Sequence, residues 1–156
     1  MIKVGGQKVD TLEVLKRSGL LPETSSDQLS ALAKLCSQVE YEPRVIIGKQ
    51  GDEAKKLCVI EEGLVSIIVE LGLGREQVVQ TASRFDIIGW SAMLPSYRYT
   101  ATVKTVERTK ALVFDGQELR NLRFSNPELG YALYVGIASV LATRLRNTFL
   151  QLIGIT

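Results

Sequence analysis

The sequence predicts an α+β fold, mainly β: an antiparallel β-roll of jelly-roll (double-stranded β-helix) type, with helices before it and a long helix after it. Three observations predict it. Apolar residues recur at helical spacing over residues 12–36 and again over residues 127–152. Between them, from about 38 to 114, short runs rich in β-branched residues alternate with period two. Those runs are separated by glycine-bearing turns such as GKQGD, EEG and LGLGR, the punctuation of an antiparallel roll or barrel.

Residues 1–10 are expected to be a loose N-terminal segment, because Gly5-Gly6 breaks any regular element there. Residues 11–156 make a single domain, with the β-roll over about 38–114 and the long helix over about 127–152. Leu12, Val14 and Leu15 lie on a short helix that Gly19 ends. Ser26 caps a second helix over 27–37, with Leu29, Leu32, Ala33, Leu35 and Cys36 on its apolar side. From Val39 and Tyr41 onward the period is two, through RVII, KLCVIEE, LVSIIVE and EQVVQTA, and later through YTATVKTVE and KALVFD. One segment interrupts the strands: FDIIGWSAMLP reads as a bend at Gly89, a helical turn over 91–94 and a stop at Pro95.

Asp115 with Glu118 forms a capping box for a short helix. Asn126 caps the long helix, with Pro127 at its first position and Glu128 in its first turn. Leu129, Leu133, Ile137, Val140, Leu141, Leu145 and Leu152 form one stripe, widened by Tyr134, Val135, Ala138, Ala142 and Phe149. Gly130 and Gly136 each cost about 1 kcal/mol of helix propensity against alanine, which points to close packing. The stripe is wider than one core-facing side requires, which points to a second helix, most simply that of another copy of the chain in a parallel homodimer.

Composition removes many functions. The chain carries 19 basic and 17 acidic residues, a net charge of +2, too balanced for a direct nucleic-acid or anionic-membrane partner. It has no histidine, which excludes Ser-His-Asp and Cys-His catalysis and histidine-ligated zinc, iron or haem. Cys36 and Cys58 sit in apolar stretches and pack as small hydrophobes. No catalytic residue, no metal ligand set and no cofactor is expected, and the chain is not read as an enzyme. Its N-terminus lacks the apolar core of a signal peptide and no run reaches membrane-spanning length, so a cytoplasmic setting is expected.

The order of elements and glycines resembles the cyclic nucleotide-binding domain shared by bacterial catabolite-activator-type regulators, protein kinase A regulatory subunits and cyclic nucleotide-gated channels. Gly51-Asp52 followed by CVIEEGLVSI, with Gly63 and Val65 in place, resembles the family's core motif. Gly89 opens what resembles the phosphate-binding cassette, TATV at 100–103 resembles the strand after it, and PEL at 127–129 opens the long helix. The resemblance implies a ligand site at Gly89, Trp90, Ser91, Ala92, Arg98, Tyr99 and Thr100. It implies that a phosphate docks at the amides of the short helix, that a Glu after the glycine takes the ribose hydroxyl, and that an Arg ten residues on pairs with the phosphate. It also implies dimerisation through the long helix.

Here Trp90 stands where the Glu belongs and Tyr99 where the Arg belongs, with Arg98 one place earlier. Adjacent strand residues point to opposite faces, so one place matters. Three readings stay open: cyclic AMP or cyclic GMP held by Arg98, a less charged or aromatic small molecule or acyl chain in the same pocket, and a pocket filled by Trp90. The function expected is a stand-alone, allosteric small-molecule sensor with a degenerate cassette. The alternative is a dimeric interaction module with a vestigial pocket that regulates a partner protein.

Overall fold

The structure, a computed structural model, describes residues 2–3, 8–22 and 25–154. The chain begins with β1 (Ile2–Lys3), α1 (Lys8–Ser18) and α2 (Ser26–Ala33). The loose segment expected over residues 1–10 falls partly outside the described residues. α2 is capped by Ser25, whose side chain accepts from the Gln28 amide, one residue before the expected cap. It also ends earlier than 37. Cys36 already starts β2 (Cys36–Tyr41), because residues 36–41 pair in unbroken register with β9 (Thr109–Asp115).

Between them lie β3 (Ile46–Gly48), β4 (Lys56–Glu62), β5 (Val65–Gly72), β6 (Arg75–Ala82), β7 (Ile87–Ile88) and β8 (Thr102–Thr105). The helical turn between β7 and β8 is a 3₁₀ turn over Trp90–Met93 rather than 91–94. Among the described residues the strands do not close into the expected β-roll. They form two open antiparallel sheets, β1-β2-β9-β4-β7 and β3-β8-β5-β6. The second sheet ends at β6, where Arg75, Glu76 and Gln77 are exposed, and a polar, solvated strand of this kind has no reason to curl onto the first sheet.

The layers explain the sequence of β4. Leu57, Val59, Leu112 and Phe114 face the helices, while Cys58, Ile60 and Ala111 face the second sheet across Val65, Ile67 and Val103. Both faces of β4 are buried, so KLCVIEE reads as a continuous apolar run instead of alternating.

α3 (Gly116–Ser125) starts at Asp115, which accepts from the Glu118 amide, and α4 (Pro127–Leu152) starts at Asn126, which accepts from the Leu129 amide. The expected single stripe on α4 divides in two. Leu129, Leu133 and Ile137 are buried and Val140 and Leu141 pack beside them, but Leu145 and Leu152 are 54% and 78% exposed. The exposed or half-exposed set Tyr131, Val135, Ala138, Ala142, Leu145, Phe149 and Leu152 repeats at alternating steps of four and three, the spacing of a coiled-coil seam. Gly136 lets α4 approach the chain at Leu20, whose carbonyl oxygen would lie 1.9 Å from a Cβ at 136.

Candidate functional site

β7 delivers the chain to Gly89, which has φ of 78° and lies so close to β4 that a Cβ there would meet the Lys56 carbonyl oxygen at 2.4 Å. Only glycine satisfies both conditions. The 3₁₀ turn then buries Ser91, Ala92 and Met93 and leaves Trp90 half-buried. Ser91 makes no hydrogen bond through its hydroxyl among the described residues and lines a small cavity with Gly89, Trp90, Tyr99, Thr100 and Ile67. The cavity measures about 20 Å³. That is room for one water molecule.

Tyr99 and Arg98 part company, as neighbours on an extended segment must. Tyr99 is buried. Its ring lies flat on Gly48, where a Cβ would come within 2.6 Å, and its hydroxyl both accepts from the Lys56 amide and donates to the Lys56 carbonyl at 3.3 Å. Desolvation raises the pKa of this phenol, so it stays neutral. Arg98 is exposed and donates to the Gly51 carbonyl at 2.9 Å. Thr100 is exposed, whereas Thr102 is buried and accepts from the Gln50 amide at 3.0 Å. The structure thus brings Gly89, Trp90, Ser91, Tyr99 and Thr100 together around one cavity, and Ala92 backs it against Tyr99 and Ala54. It turns Arg98 away.

Two arginines outside the expected site hold the cassette from outside: Arg120, and Arg144, which the sequence explains only as a cation favoured by the dipole near the end of the long helix. Arg120 of α3 donates to the Ala92 carbonyl at 2.5 Å and stacks 4.4 Å from the Tyr97 ring centroid. It thereby pins a loop in which Ser96 and Tyr97 both have positive φ, at 83° and 47°. Arg144 of α4 donates to the Ile87 carbonyl at 2.5 Å and stacks 4.6 Å from the Trp90 ring centroid. Burial lowers the Arg144 pKa, with Asp86 opposing. The signal for Arg144 was its register, seven residues after Ile137 on the core-facing side of α4.

Two larger clefts are present among the described residues. One of about 430 Å³ borders Tyr99 from the side of Gly48, Asp52, Glu53 and Lys56. The other, of about 480 Å³, runs among Glu13, Arg17, Glu61, Arg84, Phe85 and Lys110, and carries both signs of charge on a solvated surface. No group of acidic or sulfur ligands among the described residues could hold a metal ion. Burial pushes the thiols of Cys36 and Cys58 up to about 11 and about 12, which suppresses thiolate chemistry. No helix among the described residues is long and apolar enough to cross a membrane.

Comparison with known proteins places this geometry. The model of the cyclic nucleotide-binding domain matches residues 38–126. A CRP-like cAMP-activated global transcriptional regulator of Mycobacterium tuberculosis is 26% identical over 136 residues, 87% of this chain and 59% of the regulator. The chain therefore spans about three-fifths of that relative. A cyclic nucleotide-binding domain from Methylobacillus flagellatus superposes with a TM-score of 0.86 at 19% identity, covering 99% of this chain and 89% of that one. The regulatory domain of Toxoplasma gondii PKA, solved with cAMP, superposes with a TM-score of 0.66 at 22% identity over 74% of this chain and 44% of that one. At these identities the two structures establish a shared fold.

Proposed function

The chain belongs to the cyclic nucleotide-binding domain family, a family of regulatory domains rather than enzymes, and from that premise we propose that it is a cytoplasmic small-molecule sensor whose output is α4. The ligand site is the cavity at Gly89, Trp90, Ser91, Tyr99 and Thr100, with Ala92 behind it, while Arg98 points away to the Gly51 carbonyl. The observation that carries the reading is the contact of α4 with one residue that lines this cavity: the Arg144 guanidinium lies on the Trp90 ring, so a ligand that moves Trp90 acts on α4 through that stack. α4 in turn presents the seam from Tyr131 to Leu152, which we read as the interface of a parallel homodimer and the surface through which a partner protein senses the ligand.

The cassette differs from the family pattern at the two positions that hold ribose and phosphate. Loss of two charge-assisted bonds worth about 1.5–3 kcal/mol each lowers affinity by about a hundredfold or more. Cyclic AMP and cyclic GMP are therefore expected to bind weakly, and a ligand suited to Trp90 and Tyr99 to bind better. A second reading has the cavity's size in its favour: with Trp90 and Tyr99 filling the pocket, the chain would be a dimeric interaction module that takes no ligand.

Isothermal titration with cyclic AMP and cyclic GMP, followed in parallel by the emission of Trp90, decides between them. The sensor reading expects a saturable Trp90 response to a small molecule. Tight nucleotide binding lost in Arg98→Ala would overturn the cassette argument. A Trp90 signal indifferent to nucleotides and to a metabolite library would favour the interaction module.

A further inference from the structure

The cavity at the cassette has room for one water molecule, so any larger ligand that enters it displaces a wall. Most of the walls are held from behind. Ile67, Ala101 and Val103 belong to the core between the sheets. Trp90 packs into the helix-side core beneath Arg144, and Gly89 is wedged against the Lys56 carbonyl. Tyr99 differs, because it lines this cavity and also the cleft of about 430 Å³. Its backbone is fixed: the amide donates to the Asp52 carbonyl at 3.0 Å and the carbonyl accepts from the Gly51 amide at 2.8 Å. Its ring rests among small neighbours, Gly48, Ala54 and Ala92. The polar tethers of the ring are two bonds of 3.3 Å to the Lys56 backbone, both longer than an ordinary hydrogen bond.

The two spaces that Tyr99 divides are chemically unlike. In the cavity, Ser91 is 9% exposed and its hydroxyl has no hydrogen-bond partner among the described residues, a state that calls for one. The cleft combines Ile46 and Ile47 with Lys49, Lys55 and Lys56, set against two acids. One of these, Glu53, already lies 4.0 Å from Lys55. The cleft thus favours an apolar body that ends in an anion, and its volume falls in the range of about 300–1,000 Å³ usual for ligand pockets.

We propose that Tyr99 is a gate and that the ligand binds through it: an aliphatic carboxylate of medium length whose far end carries a hydroxyl. The carboxylate pairs with the lysines of the cleft, the chain lies against Ile46 and Ile47, and the hydroxyl passes the displaced ring to bond Ser91. The inference rests on the reading that the chain is a small-molecule sensor, and it gives that sensor a ligand class. Movement of the Tyr99 ring reaches Trp90, because both side chains line the small cavity.

Trp90, the single tryptophan, reports the test alongside the heat of binding. The chain is titrated with ω-hydroxyoctanoate, with octanoate, which lacks the hydroxyl, and with octanediol, which lacks the carboxylate. The first is expected to bind about tenfold more tightly than either of the others and to change Trp90 emission. Ser91→Ala should erase its advantage over octanoate, and Lys49→Gln with Lys56→Gln its advantage over octanediol. Tyr99→Phe keeps the ring but drops both tethers, so it should tighten binding by about fivefold by lowering the cost of opening. Heat without a Trp90 response leaves the ligand in the cleft alone and overturns the gate. So does a midpoint for ω-hydroxyoctanoate that neither Ser91→Ala nor Tyr99→Phe moves. Silence toward all three compounds, in wild type and in Tyr99→Phe, overturns the gate and the ligand class together. The sensor reading falls only if cyclic nucleotides and the metabolite library are silent as well.

Discussion

Replacing Gly136 with alanine sets two opposing effects against each other in one residue. Gly136 lies in the middle of α4, where alanine is favoured by about 1 kcal/mol of helix propensity. The added Cβ, however, would sit 1.9 Å from the Leu20 carbonyl oxygen, 2.5 Å from the Leu20 carbonyl carbon and 3.0 Å from the Gly19 carbonyl oxygen. All three atoms are backbone, so no side chain can rotate away. Ordinary contact requires α4 and the 19–20 segment to separate by about 1.5 Å. That movement loosens Leu20, Leu21, Leu133 and Ile137, each at most 2% exposed. Overpacking costs about 1–3 kcal/mol, and more where backbone resists, so the net expectation is a loss of about 2 kcal/mol. In a chain of this size that lowers the melting temperature by about 4–8 °C. Thermal and urea unfolding followed by circular dichroism measure it. Gly130→Ala is the control: its Cβ would meet the Arg123 nitrogen and the Leu122 carbonyl carbon at 3.2 Å, a milder contact that the same propensity gain offsets. A Gly136→Ala variant as stable as the parent would falsify the close approach of α4 to Leu20.

Three further outcomes are expected. Tyr41 is 3% exposed and its hydroxyl has no hydrogen-bond partner among the described residues, so Tyr41→Phe should raise stability by up to about 1–3 kcal/mol, read from the urea midpoint; a loss would show that the hydroxyl is paired in solution. Leu145→Glu should leave folding within about 0.5 kcal/mol, because Leu145 is exposed in the single chain, yet convert a dimer to a monomer in sedimentation analysis; a dimer that persists would move the interface off α4. The Glu40 carboxyl is held below its usual range chiefly by the hydrogen bond from Arg108, with desolvation opposing and Lys110 helping. A depressed carboxyl pKa stabilises the fold above the ordinary value of 4.5 and loses that contribution as pH falls through the folded value. Arg108→Gln should therefore flatten the acid limb of the stability profile, and an unchanged limb would remove Glu40 from it.

Local signals were legible in the sequence where they depend on neighbours along the chain. Asp115 and Asn126 announce their helices because a cap needs only the amide three residues on. Ser25 and Ser26 are chemically equal, so the cap fell one residue off. The extent of α2 was misjudged because Leu35 and Cys36 continue its periodicity, while the pairing of Cys36 with Phe114 that ends it lies 78 residues away. The β-roll was overdrawn for the same reason. Alternation fixes faces, but which strands lie edge to edge depends on distant partners such as β9 between β2 and β4. At the site, alternation distinguishes Tyr99 from Arg98, and glycine chemistry marks Gly89. Arg144 went unassigned because a cation late in a helix already has an explanation in the helix dipole. Its register with Ile137 was the better guide.

The division of α4 has a consequence for how such a protein diverges. From Pro127 to Ile137 the helix is committed to the fold through Leu129, Leu133, Gly136 and Ile137, and substitutions there are filtered by stability. From Ala138 onward the inner side is held by Val140, Leu141 and Arg144, and the outer side bears on folding hardly at all. Residues such as Ala142, Leu145 and Phe149 are free to drift under selection for association alone. One scaffold can thereby acquire new partners or lose old ones by surface changes at the tail of a single helix, leaving the sheets and the cavity untouched.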